Sequence, residues 1–250
     1  MSEEIIPGAL YVVSTPIGNL GDISRRAEFV LGGVDLIAAE DTRATRILLD
    51  HLSIRKPLLS YFSYNERRRV PQLLDALASG RTVALVTDAG TPGISDPAHA
   101  AIVAAVEKGF PVVAIPGASA VLAALVVSGL PTDRFVFEGF LPIKKGRKTR
   151  LEELAREPRT MVIYESPHRI ERTLTDLSTV LGDRFVAVAR EMTKKFETVL
   201  RGKLSTVLAA VRSTPPRGEY VIVVAGTSYR GQAESETGPA PIGGEHAGEE

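Results

Sequence analysis

The chain alternates short, wholly apolar runs with segments of helical periodicity, and run after run stops at a turn rich in glycine and proline. Leu10-Tyr11-Val12-Val13 halts at Ser14-Thr15-Pro16-Ile17-Gly18-Asn19-Leu20-Gly21-Asp22. Thr82-Val83-Ala84-Leu85-Val86 halts at Thr87-Asp88-Ala89-Gly90-Thr91-Pro92-Gly93-Ile94-Ser95-Asp96-Pro97, and Val112-Val113-Ala114-Ile115 halts at Pro116-Gly117-Ala118-Ser119-Ala120. Apolar runs this short, with no polar alternation, fit strands buried on both faces, which is the habit of parallel sheets. Helical segments between such strands impose right-handed crossovers, so the fold class is α/β. Open α/β sheets bind ligands outside the carboxyl ends of their strands, and turns poor in side chains let a ligand approach the backbone closely. A small-molecule cleft at these strand ends is the first expectation.

Strand-like runs in the first half lie at 10–13, 36–39, 58–61, 82–86 and 112–115, separated by helical segments at 24–31, 44–52, 68–78 and 97–108. Asp96 is expected to cap the last of these helices, with Pro97 in its first turn and Gly109 just past its end. A small-residue helix at 119–129 leads to further strand-like runs at 135–139, 161–164, 185–189 and 220–225, with helices expected at 147–156, 170–181 and 204–211. The short hop from 185–189 to 197–200 implies antiparallel pairing. The expected organisation is therefore an N-terminal α/β domain over 1–117 with a mainly parallel sheet and a C-terminal α/β domain over 118–227 with a mixed sheet. Residues 228–250 are rich in Gly, Pro, Glu and Ser and lack apolar periodicity, as a disordered tail would.

With 250 residues the chain can bury a sizeable core. It has no cysteine, which excludes disulfides and thiolate metal sites. His51, His99, His168 and His246 lack metal-ligand spacing, so no metal is expected. The acidic start Met1-Ser2-Glu3-Glu4 lacks the basic region of a secretory signal, and no apolar stretch is long enough for a membrane span, so a cytoplasmic, membrane-free protein is expected. The 30 basic and 30 acidic side chains cancel, but unevenly. Lys144, Lys145, Arg147, Lys148 and Arg150 form one basic cluster and Arg67-Arg68-Arg69 another, so local attraction to a polyanion survives the zero total.

The glycine turns fit no standard phosphate cradle: 14–22 contains neither G-x-G-x-x-G nor G-x-x-x-x-G-K-[ST], and no lysine lies nearby. The turn at 88–97, bracketed by Asp88 and Asp96, suits a cationic, hydroxyl-bearing ligand better than a polyphosphate. Glu40-Asp41-Thr42-Arg43 sets acid beside base at the end of a strand and reads equally as a helix cap or as a site. Tyr61, Phe62 and Tyr64 interleave with the arginines that follow, offering stacking surfaces for unpaired bases. The basic run 144–150 is expected in a loop beside the cleft. His168 in Tyr164-Glu165-Ser166-Pro167-His168-Arg169 reads more readily as structural than catalytic.

Taken in order, S-T-P-I-G-N-L-G-D-I, A-E-D-T-R, S-Y-N-E-R, T-D-A-G-T-P-G-I-S-D-P, I-P-G-A-S-A, Y-E-S-P-H-R-I, R-E-M-T-K-K-F-E and G-E-Y-V-I-V-V resemble the ribosomal RNA methyltransferases of the tetrapyrrole-methylase superfamily, the class III S-adenosylmethionine-dependent enzymes. The resemblance spans about Leu10 to Gly226. It implies two α/β domains with S-adenosylmethionine folded into the cleft between them, a homodimer, and 2′-O-ribose methylation of a cytidine in the decoding region of 16S rRNA within the small ribosomal subunit. Carried over residue by residue, it puts cofactor contacts at Pro16, Ile17, Gly18, Asp88, Ala89, Gly90, Thr91, Ile94, Ser119 and Ala120, joined by Tyr164, Ala189, Arg190, Glu219 and Tyr220. One departure is Ala98, where the family usually has glycine; alanine is tolerated there unless the residue needs a positive φ.

On this reading Glu40, Asp41, Glu165 and Glu191 are candidates for a general base, and the sequence does not choose among them. Arg43, Arg67, Arg68, Lys144, Lys145, Arg147, Lys148 and Lys194 would hold RNA phosphates, and Tyr61 or Tyr64 would stack a flipped base. A methylase acting on a carboxylate-rich macrocycle and a non-catalytic RNA-binding assembly factor are the rival readings.

Overall fold

The computed structural model describes residues 4–213 and 215–231; beyond residue 231 the expected tail lies outside the described residues. Ten strands are described: β1 (Leu10–Val13), β2 (Leu36–Ala39), β3 (Leu58–Ser60), β4 (Val83–Val86), β5 (Val112–Ile115), β6 (Phe135–Phe140), β7 (Thr160–Glu165), β8 (Phe185–Arg190), β9 (Thr198–Lys203) and β10 (Tyr220–Val224). The described α-helices are α1 (Arg25–Gly33), α2 (Thr42–His51), α3 (Glu66–Ala78), α4 (His99–Glu107), α5 (Ala120–Val127), α6 (Arg147–Leu154), α7 (Ile170–Leu181) and α8 (Leu204–Arg212). The described residues divide into two compact units, one of residues 4–123 with Met192–Lys195, the other of 124–191, 196–213 and 215–231. The division falls within α5, and four residues of the β8–β9 connection group with the first unit.

The first unit is a parallel sheet in the order β3-β2-β4-β1-β5. Although β1 and β4 are apolar throughout, their side chains sort by alternation. Tyr11, Val13, Ala84 and Val86 pack with Val30, Leu31, Leu48 and Leu49 of α1 and α2. Leu10, Val83 and Leu85 pack with Leu73, Leu77, Ala101 and Ala105 of α3 and α4 on the other face. Helices cover both faces, which is why the strands read as continuous hydrophobic runs. The helix that follows β1 packs on one face of the sheet and the helix that follows β4 on the other, so the adjacent pair β1–β4 is where the connections part to opposite faces. Crevices open at such switch points.

The second unit is a mixed sheet, β6-β7-β10-β8-β9, in which β6 and β7 are parallel and the remaining pairs antiparallel. Ile170, Leu174, Leu177 and Leu181 recur at helical spacing along α7 and are buried with Met161, Ile163, Val186, Val188 and Ile222 of the sheet. The antiparallel pairing of β8 with β9 is the one implied by their short connection.

The start of α4 departs from expectation. Asp96 is not its N-cap: the turn continues through Ser95 at φ 69°, and the helix begins at His99 after Ala98. Ala98 is fully buried at φ −179°, an extended value open to any residue, so alanine stands there without backbone strain. Among the described residues no helix is long and apolar enough to cross a membrane.

Candidate functional site

In the first unit the three turns converge at the carboxyl edge of the sheet. Thr15 N donates to Gly90 O at 2.9 Å and Gly90 N donates back to Thr15 O at 3.1 Å, a two-bond bridge that locks the turn after β1 to the turn after β4. Ser14 Oγ and Thr91 Oγ1 lie 2.9 Å apart, and Thr15 Oγ1 donates to Thr87 O at 3.1 Å. Gly90 makes its part of the bridge at φ 79°, which an L side chain adopts only at a cost. The turn after β5 joins them: Ser14 N donates to Ile115 O at 3.1 Å, and Gly117 passes so near that a Cβ there would lie 2.9 Å from Ser14 Cβ. Pro16, Ile17, Gly18, Asp88, Ala89, Gly90, Thr91 and Ile94 lie on the first two turns, with Ser119 on the third and Ala120 opening α5. The stem of Lys194 lies over Gly18, so this residue belongs to the same edge.

Thr87 was not singled out from the sequence. It is 2% exposed at the end of β4, and its hydroxyl has no hydrogen-bond partner among the described residues. An unsatisfied buried hydroxyl costs free energy unless a ligand or water completes it. Its only mark in the sequence is polarity directly after an apolar strand.

The acids of β2 meet the second turn. Asp41 N donates to Asp88 Oδ1 at 3.0 Å, and Asp88 N points to Glu40 Oε2 at 3.4 Å. Asp41 caps α2 by accepting from Arg43 N at 2.8 Å, and it pairs with the Arg43 guanidinium at 2.7 Å. Hydrogen bonds from the Arg43 side chain and backbone hold its carboxyl down at about 2. Glu40 moves the other way: burial chiefly, with the charges of Asp88 and Asp41 against it, pushes its carboxyl above the ordinary range, although the Asp88 N–H partly opposes this. Of the two readings of Glu40–Arg43, the helix cap is present, at Asp41.

In the second unit Glu165 and Arg147 share one buried network. The Glu165 side chain is fully buried; it accepts from Thr173 Oγ1 at 2.6 Å and Ser166 N at 2.8 Å and lies 3.3 Å from Arg169. Thr173 in turn accepts from Arg147 Nη2 at 2.8 Å, while Arg147 Nε meets Asp176 at 2.8 Å and Nη1 donates to Pro142 O at 3.1 Å. Arg147 is 5% exposed, so its expected role as a phosphate contact is replaced by a structural one tying α6 to α7. Its position at the first residue of α6 explains this, and the expected basic loop is helical from Arg147 onward. Lys144, Lys145 and Lys148 remain exposed.

At the far strand ends, Glu191 at φ 52° accepts from Glu219 N at 2.9 Å, and Glu191 N donates to Glu219 O at 3.0 Å. Ala189 is buried on β8, and Arg190 beside it keeps a buried Nε with no partner among the described residues. Tyr220 pairs in register with both Glu165 and Arg190, but its ring packs in the hydrophobic core of this unit. Tyr164 sits among aromatic rings, 5.0 Å from Phe137 and 5.7 Å from Phe140 between centroids.

The stacking candidates separate cleanly. Tyr61 is 1% exposed and donates its hydroxyl to Glu66 at 2.9 Å, so it is core and not a base platform. Tyr64 is 97% exposed at the start of α3, beside exposed Arg67 and Arg68. Arg43 is exposed as well.

A model of the tetrapyrrole (corrin/porphyrin) methylases matches residues 9–208. The chain is 52% identical over 223 residues to a ribosomal RNA small subunit methyltransferase I of Synechocystis sp., covering 88% of this chain and 80% of that one. It is 50% identical over 236 residues to the protein of the same name from Xylella fastidiosa, covering 93% and 86%. Among solved structures it resembles a cobalt precorrin-4 methyltransferase, with TM-score 0.66 and 19% identity over 87% of this chain and 95% of that one. It also resembles a uroporphyrin-III C-methyltransferase from Thermus thermophilus complexed with S-adenosyl homocysteine, with TM-score 0.60 and 19% identity over 87% and 97%. The structural likeness carries the fold, the sequence likeness carries the branch, and together they establish that the chain belongs to the tetrapyrrole methylase family, among its ribosomal RNA small subunit methyltransferase I members.

Proposed function

We propose that the protein transfers a methyl group from S-adenosylmethionine to the ribose 2′-hydroxyl of a cytidine in the decoding region of 16S rRNA, acting in the cytoplasm as a homodimer on the small ribosomal subunit. The observation that carries this reading is the 50% identity, over 93% of the chain, to a protein named for small-subunit rRNA methylation. The strand-end turns support it. In the first unit, Thr87 Oγ1 is a buried polar atom without a partner among the described residues, and the bridged turns present backbone where side chains would obstruct a ligand. These features fit a ligand with polar groups.

In the first unit the residues that would hold the cofactor are Pro16, Ile17, Gly18, Asp88, Ala89, Gly90, Thr91, Ile94, Ser119 and Ala120; Tyr164, Ala189, Arg190, Glu219 and Tyr220 of the second unit are candidates from the family resemblance alone. When bound, S-adenosylmethionine supplies a methyl group already activated by a sulfonium centre. The protein's task is then chiefly to orient the ribose oxygen and exclude water, and orientation can contribute about 7–11 kcal/mol. Glu40 is the candidate base for the hydroxyl proton. Its raised carboxyl is better matched to neutral pH than Asp41, whose pair with Arg43 leaves it a weak base, or Glu165, whose oxygens are already engaged. Glu191 is occupied by the Glu219 backbone. Exposed Arg43, Arg67, Arg68, Lys144, Lys145 and Lys148, together with Lys194 at the turn edge, would hold phosphates. Homodimer formation is supported by α5, which exposes Leu122 and Val126 one turn apart at 52% and 69%.

The exposed basic clusters favour RNA over a macrocycle. Incubating the protein with labelled S-adenosylmethionine and naked 16S rRNA, assembled 30S subunits or uroporphyrinogen separates the readings. Label in 30S rRNA at a ribose oxygen is the expected result. Label in the macrocycle alone, or cofactor binding with no transfer, overturns it.

A further inference from the structure

We propose that the second unit carries a stacking site for one unpaired ribonucleotide, built on Phe140 and flanked by Lys144, Lys145 and Lys148; the inference rests on the RNA reading above. Phe140 ends β6, an edge strand of its sheet. The β6–β7 register shifts between Phe137 and Gly139, a bulge that breaks the alternation of side chains just before Phe140. The bulged Glu138 turns inward, its side chain only 7% exposed and bound to Arg150 Nε at 2.7 Å. Phe140 is left 54% exposed, where a large apolar ring would ordinarily be covered.

The ring is exposed but supported. Phe140 leans on Tyr164 at 5.7 Å and 60°, and Tyr164 meets Phe137 edge-on at 5.0 Å and 72°. A ring fixed from behind loses little freedom when a base stacks on its open face. Beside it opens a cavity of about 500 Å³, walled by Phe140, Leu141, Pro142 and Thr149 and by Arg150, which spans Glu138 and Glu153. Lys144 and Lys145 directly precede Gly146 of the cavity wall, and Lys148 directly precedes Thr149. All three lysines are exposed; Lys148 has only a loose contact with Glu152 at 3.8 Å. A flat apolar platform bordered by cations matches a nucleobase joined to its phosphates, since every base offers a π-face and the backbone supplies the negative charge.

The test uses the full chain and short, fluorescently labelled single-stranded RNA, with an abasic strand of equal length as the second probe. Phe140→Ala should weaken binding to the base-bearing strand by about tenfold or more, the loss expected for one stacked base. Phe140→Trp should restore it. Binding to the abasic strand should be the same for wild type and Phe140→Ala, and all variants should melt alike because Phe140 is not core. An equal loss on the abasic strand, unchanged affinity of Phe140→Ala, or no binding by wild type overturns the proposal. So does a dimer that dissociates on Phe140→Ala, which would assign the ring to contact between copies. Methyl transfer by the wild type is measured in parallel. Transfer that persists without any role for Phe140 sinks this site alone, whereas Phe140-dependent binding without transfer sinks the methylation reading alone.

Discussion

Replacing Gly90 with alanine should weaken S-adenosylmethionine binding while leaving the protein folded. Gly90 lies at φ 79°, and an added Cβ would meet only Ile17 Cγ2 at 3.5 Å and Ala118 O at 3.8 Å, both ordinary contacts. The cost is therefore the left-handed backbone, about 1–2 kcal/mol for an L residue. If all of that strain stays in the free protein, the melting temperature falls by about 2–8 °C. The free protein can relieve the strain by twisting the turn away from its two hydrogen bonds with Thr15. Whatever part of the strain is relieved in this way spares the melting temperature and returns when that turn holds a ligand, so affinity should fall by up to about 5–30-fold. Gly109 supplies the control: it lies at φ 76° past the end of α4, with nothing within 4 Å of an added Cβ. Gly109→Ala should lower the melting temperature by a similar amount and leave affinity intact. Calorimetric titration with S-adenosylmethionine and thermal melting of both variants read the comparison. Unchanged affinity in Gly90→Ala, or an equal loss in both, would refute the assignment of the bridged turns to the cofactor.

Arg147→Ala should destabilise the protein by about 3 kcal/mol, because it breaks one side of a largely buried ion pair, while RNA affinity per folded molecule, measured by anisotropy, stays unchanged. Replacing Lys144, Lys145 and Lys148 together by glutamine should instead leave melting unchanged and flatten the salt dependence of RNA binding by about 0.7 per lost phosphate contact; an unaltered slope removes these lysines from the interface. Glu40→Gln should lower single-turnover methyl transfer by about 10²–10⁴-fold if Glu40 is the base. It should also change the pH profile of stability. The raised Glu40 carboxyl binds its proton more tightly in the fold than in the unfolded chain, so its stabilising effect is present below the ordinary carboxylate range and is lost as pH rises through the raised value. The glutamine variant should therefore gain stability relative to wild type from acid to neutral pH, and a parallel profile in urea melts would contradict the burial of Glu40.

Much of the fold was legible in local patterns. The runs 10–13, 36–39 and 112–115 and the helix 170–181 occur within the limits that apolar spacing sets, because a strand buried on both faces and a strongly one-sided helix each write their period directly into the residues. Ends governed by backbone geometry were not legible: Asp96 looked like a cap, but the turn needed two more residues before Ala98 could start the helix. The candidate site divides in the same way. The sequence by itself determined the glycine turns, the strands they follow and the acids and bases near them, since bond geometry and periodicity act over a few residues. Only the tertiary structure decided which charges are available for function. Arg147 and Lys148 are neighbours in one basic run, yet one is consumed by Asp176 and Thr173 on another helix and the other faces water. Tyr61 and Tyr64 part into core and surface, and Glu40 is pushed above the ordinary carboxylate range by burial and by the charge of Asp88, far off in sequence, while its neighbour Asp41 is held down by Arg43 two residues on. Desolvation, and pairing with groups on other elements, depend on what folds against a residue, and the local sequence does not set that.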